Sequence, residues 1–186
     1  MNTTLLFRPL LLTSALMLAT PALADNWISV YQQGVQGDAT ANEQAIEKLT
    51  TASAAAPDNL QLQAMLGAVE TAAAKHALLP WNKMKAAEQG LSKLDKTLRQ
   101  LNPQDRTQAA VTMQVHTIAG CTFINLPDLF NRFNEGYALL KNQIEGPAFA
   151  YAPQGAKQAL YSCGAKAASK AGDEALAKTW QQQSAQ

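Results

Sequence analysis

"LPWNKMKAAEQGLSKLDKTLRQLNP", Leu79 to Pro103, holds five of the fifteen basic residues of the chain, and its reading decides the fold. Two readings compete: a basic surface for nucleic acid or lipid, or one amphipathic helix of a helical stack. Met84, Ala87, Leu91, Leu94, Leu98 and Leu101 recur at alternating steps of three and four, so they fall on one stripe. Lys83, Lys93, Lys96 and Arg99 fall off it, and Asp95 stands four residues before Arg99, a favourable order for an ion pair. A nucleic-acid surface calls for exposed aromatics or glycines, and only Trp81 is available. The stretch therefore predicts a packed helix with a solvated basic face.

The pattern continues on both sides. Upstream, Thr40 three residues before Glu43 predicts a capping box, Ala45, Ile46, Leu49, Ala52 and Ala56 share a face, and Pro57 ends that helix. Leu62, Met65, Val69, Ala72 and His76 form the next face, and Pro80 suits a helix start. Downstream, Asp105 with Gln108 offers another start. The stretch Ala109 to Ile124 is apolar almost all round, as expected of a helix in the middle of a stack. Leu126, Phe130, Phe133, Tyr137, Leu140 and Ile144 step along a sixth helix with the most aromatic face. A seventh, about Pro153 to Lys170, stops at Gly172, and Asp173 caps a last helix ending near Trp180 before a frayed tail. With few β-branched runs and no Asn-Gly or Asp-Gly turn, the expectation is all-α: about eight helices in antiparallel αα-hairpins.

Residues 1–24 read as a cleaved secretory signal. Arg8 gives a positive start, Pro9 to Ala19 is an apolar run too short to span a bilayer, and Ala22 to Ala24 fits a small-residue cleavage site. The helical domain then covers 25–186, in a periplasmic or secreted setting with no membrane insertion after cleavage. Without Arg8 the basic and acidic residues balance, which argues against broad attraction to polyanions and so against a nucleic-acid partner. In an oxidising compartment Cys121 and Cys163 favour a disulfide, with a reactive thiol pair or half of a metal site as competing readings. A bridge closing a loop of about 43 residues contributes roughly 4 kcal/mol in the chain-entropy model.

"EQAIEKLTTASAAAPDN" resembles the second helix of a tetratricopeptide repeat, with its Ala-Ile, later alanines and closing proline. In that register of about 34 residues, Leu66-Gly67 and Cys163-Gly164 fall at the repeat's Leu-Gly. The interval from Pro57 to Pro103 is longer than one repeat, so the second hairpin departs from it. Pro80, Trp81, Lys83, Met84, Gly90, Leu91, Leu94 and Asp95 resemble the "PW-x-K" corner and "GL-x-x-LD" run of exported bacterial tetratricopeptide-like proteins. The resemblance covers about Ala45 to Thr179. It implies a right-handed superhelix of αα-hairpins and a non-enzymatic adaptor for a protein or peptide partner. More weakly, it implies association with ABC-type export systems.

The residues themselves offer few chemical constellations. There is no G-x-S-x-G, H-E-x-x-H, phosphate-cradling loop or C-x-x-C, so no catalytic residue, metal site or cofactor is expected. Trp81 with Lys83 and Lys85 suits recognition of a peptide or carboxylate, or Trp81 caps the core at that corner. His116 is read as an interior histidine, with a binding contact as the alternative. Tyr137 belongs to an aromatic set that packs in the core or lines a small-molecule pocket beside the helix of Cys163. The pocket is the alternative function to the adaptor.

Overall fold

The computed structural model describes residues 22–102 and 105–186, with side chains from Trp27 onward except at 106. The expected leader lies outside the described residues apart from the backbone of 22–24, and the expected helix stop at Pro103 also lies outside them. The described chain is all-α. Its eight helices are α1 (Ala22–Gln36), α2 (Ala39–Ala55), α3 (Leu60–Ala73), α4 (Pro80–Gln100), α5 (Ala109–Ile124), α6 (Phe133–Ile144), α7 (Gln154–Lys170) and α8 (Glu174–Ser184).

Local chemistry sets the boundaries, and three differ from expectation. The carboxylate that caps α2 is Asp38, which accepts from the Ala41 N–H at 2.7 Å, so Thr40 lies inside the helix and makes no capping box. The sixth helix is interrupted. Asp128–Phe130 form a 3-10 turn, Asn131 takes a left-handed conformation at φ 51°, and α6 starts only at Phe133. Asparagine tolerates that conformation better than most side chains, which is why the stripe of apolar spacing alone conceals the break. The C-terminal helix runs on past Trp180 to Ser184 rather than fraying. Apart from His76, which lies beyond the end of α3 at Ala73 and so off the face expected to carry it, other boundaries agree: Pro80 occupies the first turn of α4, Gly172 at φ 84° ends α7, and Asp173 caps α8 by accepting from Leu176 N–H.

The helices form two layers. Each odd-numbered helix packs on the next odd one, α1 on α3, α3 on α5 and α5 on α7, while no even helix packs substantially on another even helix. Neither α1 nor α2 packs substantially on α7 or α8, so the stack does not close on itself. The core follows suit as a chain of linked clusters. One joins α1, α2 and α3 through Leu49, Leu66 and Val69; a second joins α3, α4 and α5 through Leu94, Val115 and Phe123. A third joins α5, α6 and α7 through Met113, Leu140 and Leu160, and a fourth seats Trp180 against α7. Ile118 is shared by the first two clusters, Tyr137 and Ile144 by the last two.

Glycines set the closest approaches. At the α3–α4 crossing a Cβ on Gly90 would stand 2.3 Å from Thr71 N and 2.4 Å from the Gly67 carbonyl, so two backbones meet directly. The α5–α6 crossing repeats this with Gly120 and Gly136, each placed under 3.2 Å from the other's carbonyl if given a Cβ. Asn42, buried in α2, donates to Val69 O at 2.9 Å and Gly34 O at 3.3 Å, tying three helices with one amide.

Candidate functional site

The α3–α4 turn projects into solvent. Leu78 is 93% exposed, Trp81 65%, Leu79 43% and Met84 37%. Trp81 therefore does not cap the core, and Met84 leaves the stripe that Ala87, Leu91 and Leu94 bury. Lys83 and Lys85 are exposed beside them. Lys75 anchors the turn's base by donating to Val35 O at 3.1 Å and Gln36 O at 3.5 Å, the carbonyls that end α1. His76 is half-buried just beyond α3, with Nε2 buried and unpartnered.

His116 and Tyr137 belong elsewhere, so the five expected binding residues do not form one site. His116 Nδ1 lies 2.9 Å from Gln143 Nε2, which joins α5 to α6, and burial pushes its pKa below the ordinary imidazole value. That bond requires a neutral ring with Nδ1 accepting. Tyr137 packs among Phe133, Ile144 and Tyr161, its ring centroid 6.2 Å from that of Phe133. Cys121 and Cys163 form a disulfide between α5 and α7, with Cα atoms 5.5 Å apart. Leu140, Leu160, Phe133 and the two cysteines pack in one cluster that joins α5, α6 and α7.

Asp95 has a role its spacing conceals. Its carboxylate accepts from Arg132 Nη1 at 3.0 Å and Nη2 at 2.5 Å, rather than pairing with Arg99. The guanidinium also lies 4.0 Å from the Phe123 ring centroid and forms an ion pair with Glu135, Nε to Oε2 2.8 Å. The Asp95 hydrogen bonds hold the Arg132 pKa above its ordinary value. Planar, bidentate pairing of this kind fixes orientation as well as charge, so α4 is locked to the start of α6.

The opposite end of the α3–α4 hairpin carries a feature that sequence reading missed. An open groove of about 770 Å³ runs between the start of α3, the end of α4 and the start of α5. Asp58, Asn59, Gln61, Gln100 and Gln108 line it with Leu60 and Val111. Gln108 donates to Asp105 at 3.0 Å and leaves its buried Oε1 without a partner. Among the described residues the Gln61 and Gln100 carboxamides make no hydrogen bond, while Asn59 spends its oxygen capping α3. The sequence signal was faint: three glutamines and an Asp-Asn pair, each beside a helix end, from three segments far apart in the chain.

Comparison of the chain with protein-family models, curated proteins and solved structures gives no match. The tetratricopeptide-like resemblance rests on the residues quoted above. Among the described residues no helix is long and apolar enough to cross a membrane.

Proposed function

We propose that the protein is an exported, non-catalytic adaptor of the tetratricopeptide-like kind, whose hairpin stack holds an extended segment of a partner protein. The observation that carries this reading is the groove at the α3–α4–α5 junction. Gln61 and Gln100 each offer a free donor pair and a free acceptor, and Gln108 offers an acceptor already stripped of water. Carboxamides complement a peptide main chain, whose N–H and C=O groups need partners once removed from solvent. Leu60 and Val111 supply apolar contact for the segment's side chains.

Three further features support the reading. The leader pattern of 1–24 argues for export, and the Cys121–Cys163 bridge is of a kind that persists in oxidising compartments such as the periplasm. The layering, with every substantial helix packing made between near neighbours in sequence, fits a repeat stack whose units bury their faces against one another. A right-handed superhelical course for that stack, and placement beside an envelope or ABC-type export complex, belong to the same proposal.

In-cell crosslinking of the exported protein, with mass spectrometry of what co-purifies, tests it. The expected result is a reproducible envelope protein that is lost from the Gln61→Ala/Gln100→Ala variant, which removes two exposed-edge amides without touching the core. Recovery of no protein partner, or of the same partner by both proteins, would reject the groove as the binding site.

A further inference from the structure

At the α3–α4 corner, Leu78, Leu79, Trp81 and Met84 stand together in water. From Thr71 to Ala87 the chain carries Lys75, Lys83 and Lys85 and no Asp or Glu. Glu70, on the α3 side, is paired with Lys93 at 2.6 Å, and Glu88 is an exposed residue one position past the stretch. The tip is therefore apolar and the charges of its own segment are Lys75, Lys83 and Lys85, while the exposed Asp38 stands on the neighbouring α1–α2 turn, next to the Gly37 that lies beside Lys75.

We infer that this corner docks on an anionic lipid surface, with Leu78, Leu79 and Trp81 entering the boundary between headgroups and acyl chains. Lys83 and Lys85 pair there with lipid phosphates. The shape distinguishes this occupant from a protein. These side chains project from a turn, and the grooves at α7–α8 and at the α3–α4–α5 junction are lined by other residues. Acyl chains mould around a projecting leucine and bury all of it without a preformed pocket. An indole favours the membrane–water boundary, where its ring is apolar and its N–H meets water. Lysine stems lie along apolar surface while their ammonium groups reach the phosphates.

The support beneath the corner is rigid. Pro80 fixes the first turn of α4, Lys75 ties the base to α1, and the Gly67–Gly90 contact clamps the hairpin below. The 21 residues of α4 span about 30 Å, so the carboxamide groove lies at the far end of the hairpin and points away from the lipid. A corner docked this way would present the groove to a partner in the aqueous space. This inference does not depend on what the groove holds.

Vesicle flotation tests it, using protein purified after export and vesicles of zwitterionic phosphatidylcholine with or without about one-third phosphatidylglycerol. The expected result is partitioning at least about tenfold stronger onto the anionic vesicles, weakened by salt, as two to three lysines near a charged surface require. Trp81 emission should shift to the blue on binding, and Trp81→Phe should remove most of that shift. Leu78→Ser/Trp81→Ser and Lys83→Glu/Lys85→Glu should each reduce binding about tenfold or more while leaving the melting temperature in place, because all four side chains are exposed. All variants share one N-terminus, so a difference between them reports the corner alone. No binding to anionic vesicles, equal binding to both kinds, or binding unchanged in the variants would each overturn the inference. The first result would leave the corner to a protein partner.

Discussion

The two ends of the α3–α4 hairpin share the same pair of helices and present opposite chemistry. At one end the turn exposes leucines, a tryptophan and lysines; at the other, helix ends from three segments surround a groove of carboxamides. The helices between them are the most tightly joined in the molecule, backbone against backbone at Gly67 and Gly90. The contrast teaches that the rigid crossing and the surfaces proposed for recognition are separated here. The crossing fixes the ends relative to one another, and each end is then free to carry residues that contribute little to stability.

The strongest way to break the comparison is to break the crossing. Gly90→Ala should destabilise the protein by about 4–5 kcal/mol, because the added methyl meets the backbone of Thr71 and Gly67 as well as the Thr71 hydroxyl, and the backbone cannot give way as a side chain would. Thermal unfolding checks this, and a melting temperature equal to the parent's would show that the helices are further apart than described. Next in size, reduction of the Cys121–Cys163 bridge should cost about 4 kcal/mol, measured as a shift in denaturant midpoint. Because that bridge lies in α5 and α7, vesicle binding by the distant corner should survive it.

A matched pair of truncations sharpens the contrast. Leu94→Ala should cost about 3 kcal/mol, since Leu94 is fully buried in the cluster that joins α3, α4 and α5. Leu78→Ala removes the same atoms at the exposed tip and should change stability by less than about 0.5 kcal/mol. Equal costs would mean that the corner is packed. A smaller effect comes from His116. Its pKa is lower in the folded protein than the unfolded value of 6.5, so the unfolded chain binds the proton first as the pH drops. Its contribution to stability is full above pH 6.5 and is lost as the pH falls through the lowered folded value. His116→Gln should flatten that part of the pH–stability curve relative to the parent. The smallest effect is a gain. Gly155 in the first turn of α7 has open space around it, and Gly155→Ala should stabilise by up to about 0.5 kcal/mol, isolating glycine's conformational cost from the close contact at Gly90.

What could be read in the sequence was what periodicity and local punctuation encode. The stripe Ala87, Leu91 and Leu94 is buried as its spacing requires, Pro80 and Asp173 open their helices, and Cys121 joins Cys163. Gly164 also sits at a tight crossing, 2.8–2.9 Å from Ile144 and Trp180 were it given a Cβ. The sequence hid what depends on distant partners. Asp95 looks like a partner for Arg99 four residues on, but Arg132 reaches it from 37 residues away with better geometry and a buried aromatic ring beneath. Asn42, which no local pattern in α2 singles out, is a buried tie between helices. Centrality was legible only in part. The stretch Ala109 to Ile124, apolar almost all round, does lie mid-stack, packing on α3, α4, α6 and α7, but α3, rich in alanine, also packs on four helices and its pattern did not show it. Of the candidate site, Trp81 and the lysines were legible as a corner. The groove was not, because its residues meet only after three helix ends converge.

The central claim is that one end of the hairpin holds a protein segment and the other does not. It is tested most directly by placing a photo-crosslinking amino acid at Gln100 in one strain and at Trp81 in another, both in the exported protein. The account predicts a discrete crosslinked protein from position 100 and no discrete protein adduct from position 81. A protein adduct from position 81 with none from position 100 would contradict it.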